Sequence, residues 1–204
     1  MRAARTRRAL VLAAAEIFAD EGYALATLPL ISRRAGVSAG ALHFHFASKD
    51  ALAAEVESAA TESARRLAEG CRSATGSSLQ ALVDTVSGLL LAVATDPVVR
   101  AGFRLCGDPS RKNGAQMLRW WQRRVRDLVA EAQEAGELTS AVSAEAATTA
   151  VVAATVGFGA LGVADATWLS GERLAQFWSL LLPRLAASLN PGAIPVTRRG
   201  DAAD

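Results

Sequence analysis

Residues 27–38, TLPLISRRAGVS, constrain the fold of this chain more than any other stretch. Thr27 stands where a hydroxyl can cap a helix, and Pro29 is tolerated in that helix's first turn. Gly36 stops the run, and Ser38 two residues later is a second cap. The spacing predicts a short helix, a turn through glycine, and another short helix to about Phe46. Helices of this length do not persist alone, because nucleation costs more than one or two turns return. They must pack on each other and on a longer neighbour. Residues Thr6–Asp20 supply one: Leu10, Ala14, Ile17 and Phe18 recur at helical spacing, and Gly22 ends the run.

A fourth helix starts near Ser48 and runs through AEVESAATESARRLAEG. Five longer ones follow, at roughly 77–95, 97–107, 114–136, 142–163 and 171–189, punctuated by Asp96-Pro97, Gly107-Asp108-Pro109, Gly136 and Gly171. No run alternates β-branched residues between hairpin turns. The chain is 51% hydrophobic with six prolines, and its abundant Ala and Leu lose little on entering a helix. The expected fold is all-α. A three-helix helix-turn-helix head (1–50) would carry a larger helical body (51–190), followed by a loose tail (191–204).

Little is arranged for covalent chemistry. His43 and His45 are two apart, so on a helix they diverge by about 200° and cannot share a metal ion. No HExxH pattern, carboxylate partner or nucleophile accompanies them. No catalytic residue, metal site or cofactor is expected. Cys71 and Cys106 lack the spacing of a zinc site or disulfide framework and read as buried free thiols. Residues 146–164 carry no charge, yet they are rich in Ala, Gly and Thr and lack a basic anchor. They read as a buried helix rather than a membrane span. Arg7-Arg8 and the apolar run after them imitate a leader only until Glu16 interrupts. The expectation is a cytoplasmic protein with no membrane partner.

The net charge of +2 is unevenly spread. Residues 1–50 hold seven basic residues against four acidic, which puts the head at +3 and the remainder at −1. A basic helix-turn-helix suits a polyanion, and in such an arrangement the second short helix enters a DNA major groove. On that helix Leu42 and Phe46 share the face that can pack onto Ile31, Ala35 and Val37. Gly40, Ala41 and Phe44 lie opposite, leaving a mostly small side that lets the backbone approach DNA. Lys49 and the amides behind Ser38 suit phosphate contacts.

The run TLPLISRRAGVSAGALHFHFASKDAL resembles the DNA-binding signature of the TetR family of transcriptional repressors, over about residues 6–55. Its marks are Thr at the second helix, AGVS, G-x-L, H-F, and a lysine before the fourth helix. The resemblance implies that Thr27 binds a phosphate and that Ser38, Ala39, Gly40 and Ala41 face base edges. Phe44 would lie along the backbone or a thymine methyl, and Lys49 would anchor a phosphate. His43 departs from the pattern, standing where most members carry a tyrosine; its phosphate contact becomes charge-assisted on protonation. No Arg, Asn or Gln occupies the reading positions. Specificity is therefore expected from methyl contacts, operator shape and an arginine arm (Arg2, Arg5) in a minor groove.

Members of the family pair through their C-terminal helices and enclose a small ligand with central ones. Here the helices at 142–163 and 171–189 read as apolar nearly all round, which asks for a partner subunit. Trp120 and Trp121 point about 100° apart, so one can line a cavity while the other packs between helices. A narrower resemblance is carried by GALHFHFASKDALA, DPVVRAGFRL, the paired tryptophans ahead of AEAQEAGEL, and FWSLLLPRL. These look like the γ-butyrolactone autoregulator receptors of actinomycetes and their pseudo-receptor relatives. That resemblance implies a homodimeric repressor on a near-palindromic DNA operator, released by a small apolar lactone, butenolide or furan-type signal. The signal would bind beside Trp121, with Trp120 as second choice and Leu82, Val86, Phe103 and Phe158 as further wall. A pseudo-receptor answering to an antibiotic or its precursor stays open, as does a ligand-independent DNA-binding protein.

Overall fold

The computed structural model describes residues 2–111 and 114–187. Among the described residues the chain is helical apart from turns and one isolated antiparallel bridge, Leu138 with Ala186. The order is α1 (Arg2–Glu21), α2 (Leu28–Arg34), α3 (Ala39–His45), α4 (Lys49–Ala74), α5 (Ser78–Thr95), α6 (Pro97–Cys106), α7 (Gln116–Glu134), α8 (Ala144–Ala164) and α9 (Gly171–Leu185). A 3-10 turn over Ala166–Leu169 separates the last two. The fold is all-α, as its residue pattern implies. The tail over 191–204 lies outside the described residues, as do the final two positions of the expected last helix. Gly70 does not end α4, because one interior glycine costs only about 1 kcal/mol relative to alanine. Inward packing of Ala64 and Ala68 in the turns before it offsets that.

Packing divides the chain into two compact units, each discontinuous in sequence: Met1–Ala64 with Val93–Trp120, and Arg65–Ala92 with Trp121–Asp204. In the first, Leu10, Ile17 and Phe18 of α1 meet Ile31 of α2, Leu42 of α3, and Leu52 and Val56 of α4. Ala101 and Leu105 of α6 complete this core. A segment remote in sequence thus belongs to the core under the helix-turn-helix. Arg104 of α6 donates to the carbonyl oxygens of Ala19 (2.7 Å) and Asp20 (2.9 Å), closing the C-terminal end of α1 with a cation where the helix dipole favours one. Gly102 allows the close approach of α6. A Cβ there would lie 2.4 Å from the Ala60 Cβ and 2.8 Å from the Met117 sulfur.

In the second unit the interior comes from Leu82, Val86 and Leu89 of α5, Trp121, Val125 and Leu128 of α7, Val151 of α8, and Trp178 of α9. Glu137 caps α5 from a distance, accepting the Ser77 hydroxyl (2.9 Å) and the amides of Ser78 (3.2 Å) and Leu79 (2.7 Å). Three sequence expectations change here. First, α9 is amphipathic rather than apolar all round. Leu174, Trp178, Leu182 and Leu185 turn inward while Glu172, Arg173 and Arg184 are exposed. Second, α8 is not a buried helix. Only 22% of its most apolar stretch is buried within the chain, against 56% for α5, and both are long and apolar enough to cross a membrane by length and composition. Hydropathy reports what a helix offers, not what covers it. Third, Cys71 and Cys106 are half-buried rather than buried, each in the last turn of its helix.

Candidate functional site

The helix-turn-helix is built by its caps. The Thr27 Oγ1 accepts the Leu30 amide (3.3 Å), and the Ser38 Oγ accepts the Ala41 amide (3.2 Å). Each cap contributes about 1 kcal/mol. Each hydroxyl also keeps its own hydrogen to donate. Between them the amides of Gly36 and Val37 return to the carbonyls of Arg33 (3.1 Å) and Ser32 (3.0 Å). That closure puts Gly36 at φ +67°, and a Cβ there would meet nothing within 4 Å, so the constraint is on the backbone alone.

Within α3 only Leu42 is buried, and Phe46 follows it inward at the C-cap. Ile31 lies in the same core, with Ala35 and Val37 packed against it. The residues assigned to base reading are on the outer side, Ser38, Ala39 and Gly40 exposed and Ala41 half-exposed, and His43 and Phe44 are exposed with them. Phe44 is 82% exposed. A phenyl left in water forgoes about 2 kcal/mol, so this ring adds little to the protein's own core. Arg5, Arg8 and Arg33 are exposed in the same compact unit. Arg34 pairs with Glu16 (2.9 Å), and Arg7 pairs with Glu55 (2.8 Å) while lying 4.8 Å over the Phe46 ring. The Arg2 side chain lies outside the described residues.

Lys49 has a task that sequence alone did not reveal. Its ammonium donates to the carbonyl oxygens of Tyr23 and Ala26, each at 2.9 Å, and sits 4.2 Å over the Tyr23 ring. Two of its three N–H bonds are thereby committed to the turn before α2.

A buried ion pair lies in the same unit and was also missed. Glu57, 1% exposed, accepts from Arg111 at 3.2 Å. Its signal in the sequence is a carboxylate on the seam of Ala53, Val56, Ala60 and Ala64, where a charge requires a partner. The Cys106 thiol donates to Glu57 (3.3 Å). Burial first, and then the neighbouring carboxylate, push that thiol up to about 12.

The candidate ligand residues divide between the units. Trp121 is 1% exposed and shares the second unit with Leu82, Val86 and Phe158. Trp120, half-exposed, and Phe103 belong to the first. Phe158 is half-buried, with its ring against Phe177 (5.5 Å) and Trp168 (6.0 Å). The block FW at 177–178 contributes a further tryptophan: Trp178 is fully buried and its Nε1 donates to the Ser87 hydroxyl (3.2 Å). Two hydroxyls of this unit stand out. Thr85, 1% exposed, and Thr148 have no hydrogen-bond partner for Oγ1 among the described residues. Thr155 shows the alternative open to a helical threonine, donating to the Val151 carbonyl four residues back (2.7 Å). Thr85 lies on the same buried face of α5 as Leu82 and Leu89.

Comparison with known proteins sharpens this picture. Residues 10–56 match the family described as "Bacterial regulatory proteins, tetR family". The A-factor receptor protein of Streptomyces griseus is 33% identical over 195 residues, 95% of this chain and 67% of that protein. A crystal structure of a γ-butyrolactone receptor (ArpA-like protein) superposes with a TM-score of 0.76 at 30% identity, covering 91% of this chain and 90% of the other. CprB of Streptomyces coelicolor, a TetR family protein solved with its biological operator sequence, superposes with a TM-score of 0.76 at 29% identity, again over 91% and 90%.

Proposed function

The chain belongs to the TetR family of transcriptional regulators and is related to γ-butyrolactone receptors; from that premise we propose a dimeric repressor released by a lactone- or furan-type signal. The observation that carries the DNA-binding part is α3 itself. It buries only Leu42 and turns Ala39, Gly40, His43 and Phe44 outward behind the capped start at Ser38. In this reading residues 1–50 bind the operator and residues 51–190 bind the ligand and the second subunit. The hydroxyls of Thr27 and Ser38 and the remaining N–H of Lys49 take phosphate oxygens, His43 adds another contact, and Arg5 reaches the minor groove. Two copies of α3 would enter successive major grooves about 34–36 Å apart on a near-palindromic site. Such a regulator works beside the chromosome, in the cytoplasm.

The dimer is supported by the apolar residues that the chain leaves uncovered on α8 and α9: Val156, Leu161, Val163 and Leu180. The ligand is supported by the character of the second unit's interior. Trp121, Leu82 and Val86 are apolar and buried, and Thr85, between Leu82 and Val86 on α5, holds an unsatisfied hydroxyl. A largely apolar site with one or two donors suits an acyl chain carrying a polar ring. A 100-fold release requires the ligand to prefer the non-binding conformation by about 2.7 kcal/mol.

The test is a gel-shift titration on the DNA upstream of the chain's own gene, with and without a panel of butyrolactones and butenolides. Binding that a lactone reverses supports the reading. Binding that only an antibiotic or its precursor reverses replaces the ligand class, and binding that nothing reverses leaves a ligand-independent repressor.

A further inference from the structure

Tyr23, the single tyrosine of the chain, stands in the turn before α2 and is held from both sides. It lies between α1 and α2, 8% exposed, with its ring 5.8 Å from that of Phe18. On one side Lys49 covers the ring and takes the carbonyls of Tyr23 and Ala26, while the Tyr23 hydroxyl donates to Asp50 (2.8 Å). Ala26 directly precedes Thr27, the cap of α2. The other side is supplied by the segment after α6. Ser110 holds the Asp108 carboxylate through its hydroxyl and its amide, and the Tyr23 backbone amide is among the groups that keep that carboxyl below its usual range. The guanidinium carbon of Arg111 lies 5.7 Å from the Tyr23 ring centroid.

Arg111 is in turn fixed from beneath. Its side chain is 3% exposed, and Nη1 donates to Glu57 (3.2 Å) and to the Leu105 carbonyl (3.4 Å). The other Glu57 oxygen accepts the Met117 amide and the Cys106 thiol, both at 3.3 Å. All of these groups belong to the first compact unit. So deeply covered, Arg111 cannot touch DNA. Any effect it has on DNA binding passes through the residues it braces.

We propose that Arg111, oriented by Glu57, is a positioning residue for operator binding: its cation fixes Tyr23, and through Tyr23 the turn that presents Thr27 and α2 to DNA. The inference rests on the DNA-binding reading and adds to it a control point in a segment that follows α6. A pair that merely held the fold together would change stability alone. A pair that positions the turn changes operator affinity even where stability is intact.

The experiment reads thermal stability and affinity separately, the latter by fluorescence anisotropy on a DNA fragment that the parent protein shifts. Arg111→Met leaves Glu57 buried without its cation, so both quantities fall. Glu57→Leu/Arg111→Met replaces the pair with apolar side chains, which removes the uncompensated charge and restores stability. We expect the double variant to melt near the parent temperature yet bind about tenfold more weakly, because Lys49 then holds Tyr23 from one side only, with no cation at position 111. Parental affinity in that variant overturns the proposal. Arg111→Lys keeps a cation opposite both Glu57 and Tyr23 and covers the case of a double variant that does not fold. Binding within about twofold of the parent supports the proposal, whereas a loss as large as that of Arg111→Met overturns it. A parent protein that shifts no DNA overturns the DNA-binding reading and this proposal together.

Discussion

The Lys49 ammonium donates to the Ala26 carbonyl oxygen at 2.9 Å, one residue before the hydroxyl that caps α2. A lysine read as a phosphate anchor is therefore also the tie that sets the start of the helix-turn-helix. Lys49→Met should lower the unfolding free energy by about 1.5–3 kcal/mol, the worth of hydrogen bonds to a charged group. Urea unfolding measures this. If the third N–H meets a phosphate, the slope of log K against log salt also falls by about 0.9. An unchanged slope would confine Lys49 to the turn.

Phe44 separates folding from recognition. With the ring 82% exposed, Phe44→Ala should leave the unfolding free energy within about 0.5 kcal/mol of the parent. Operator binding should weaken by about 1–3 kcal/mol, the range of a good base contact. Anisotropy titration beside a denaturation curve distinguishes the two. A large loss of stability would mean that the ring packs within the protein instead.

Thr85 supports a prediction of opposite signs. A buried hydroxyl without a partner costs about 1–3 kcal/mol, so Thr85→Val should raise the melting temperature of the ligand-free protein. If the hydroxyl serves the ligand, the same change should raise the lactone concentration for half-release about tenfold. Stabilisation with unaltered release would remove Thr85 from the site.

Leu161 and Leu180 test the uncovered face. They are 45% and 77% exposed on α8 and α9. The variant Leu161→Glu/Leu180→Glu should keep its helical circular dichroism and run as a monomer in light scattering, while its operator affinity collapses for want of the second half-site. A dimer that survives both charges would place the interface elsewhere.

Cys106 and Tyr23 both predict alkaline sensitivity. Burial pushes each up to about 12, the Cys106 thiol with help from Glu57 and the Tyr23 hydroxyl with help from Asp50. Both groups ionise more readily unfolded than folded, so the unfolded chain binds fewer protons and stability declines as pH rises from about 9 towards 12. Cys106→Ala should flatten part of that decline in melts taken at several pH values. The raised thiol should also make Cys106 slow towards iodoacetamide near pH 8, by about a thousandfold in thiolate content relative to an ordinary cysteine. Rapid labelling of Cys106 would contradict that.

The head was legible in the sequence because its determinants are local. A cap hydroxyl, a glycine in the left-handed region and an apolar pair four residues apart specify two short helices and the turn between them, and each device acts within one turn of the chain. Exposure of Ala39, Gly40 and Phe44 follows once Leu42 and Phe46 are turned inward. What tertiary structure alone decided are relations between distant residues. It brought Ala101 and Leu105 of α6 into the core beneath the helix-turn-helix, gave Lys49 its two carbonyl partners, and paired Glu57 with Arg111. It also showed that α8, apolar on every side by composition, is left mostly uncovered by its own chain. Periodicity records which faces of a helix are apolar. Burial and partnership depend on what the rest of the chain, or a second copy, brings against those faces.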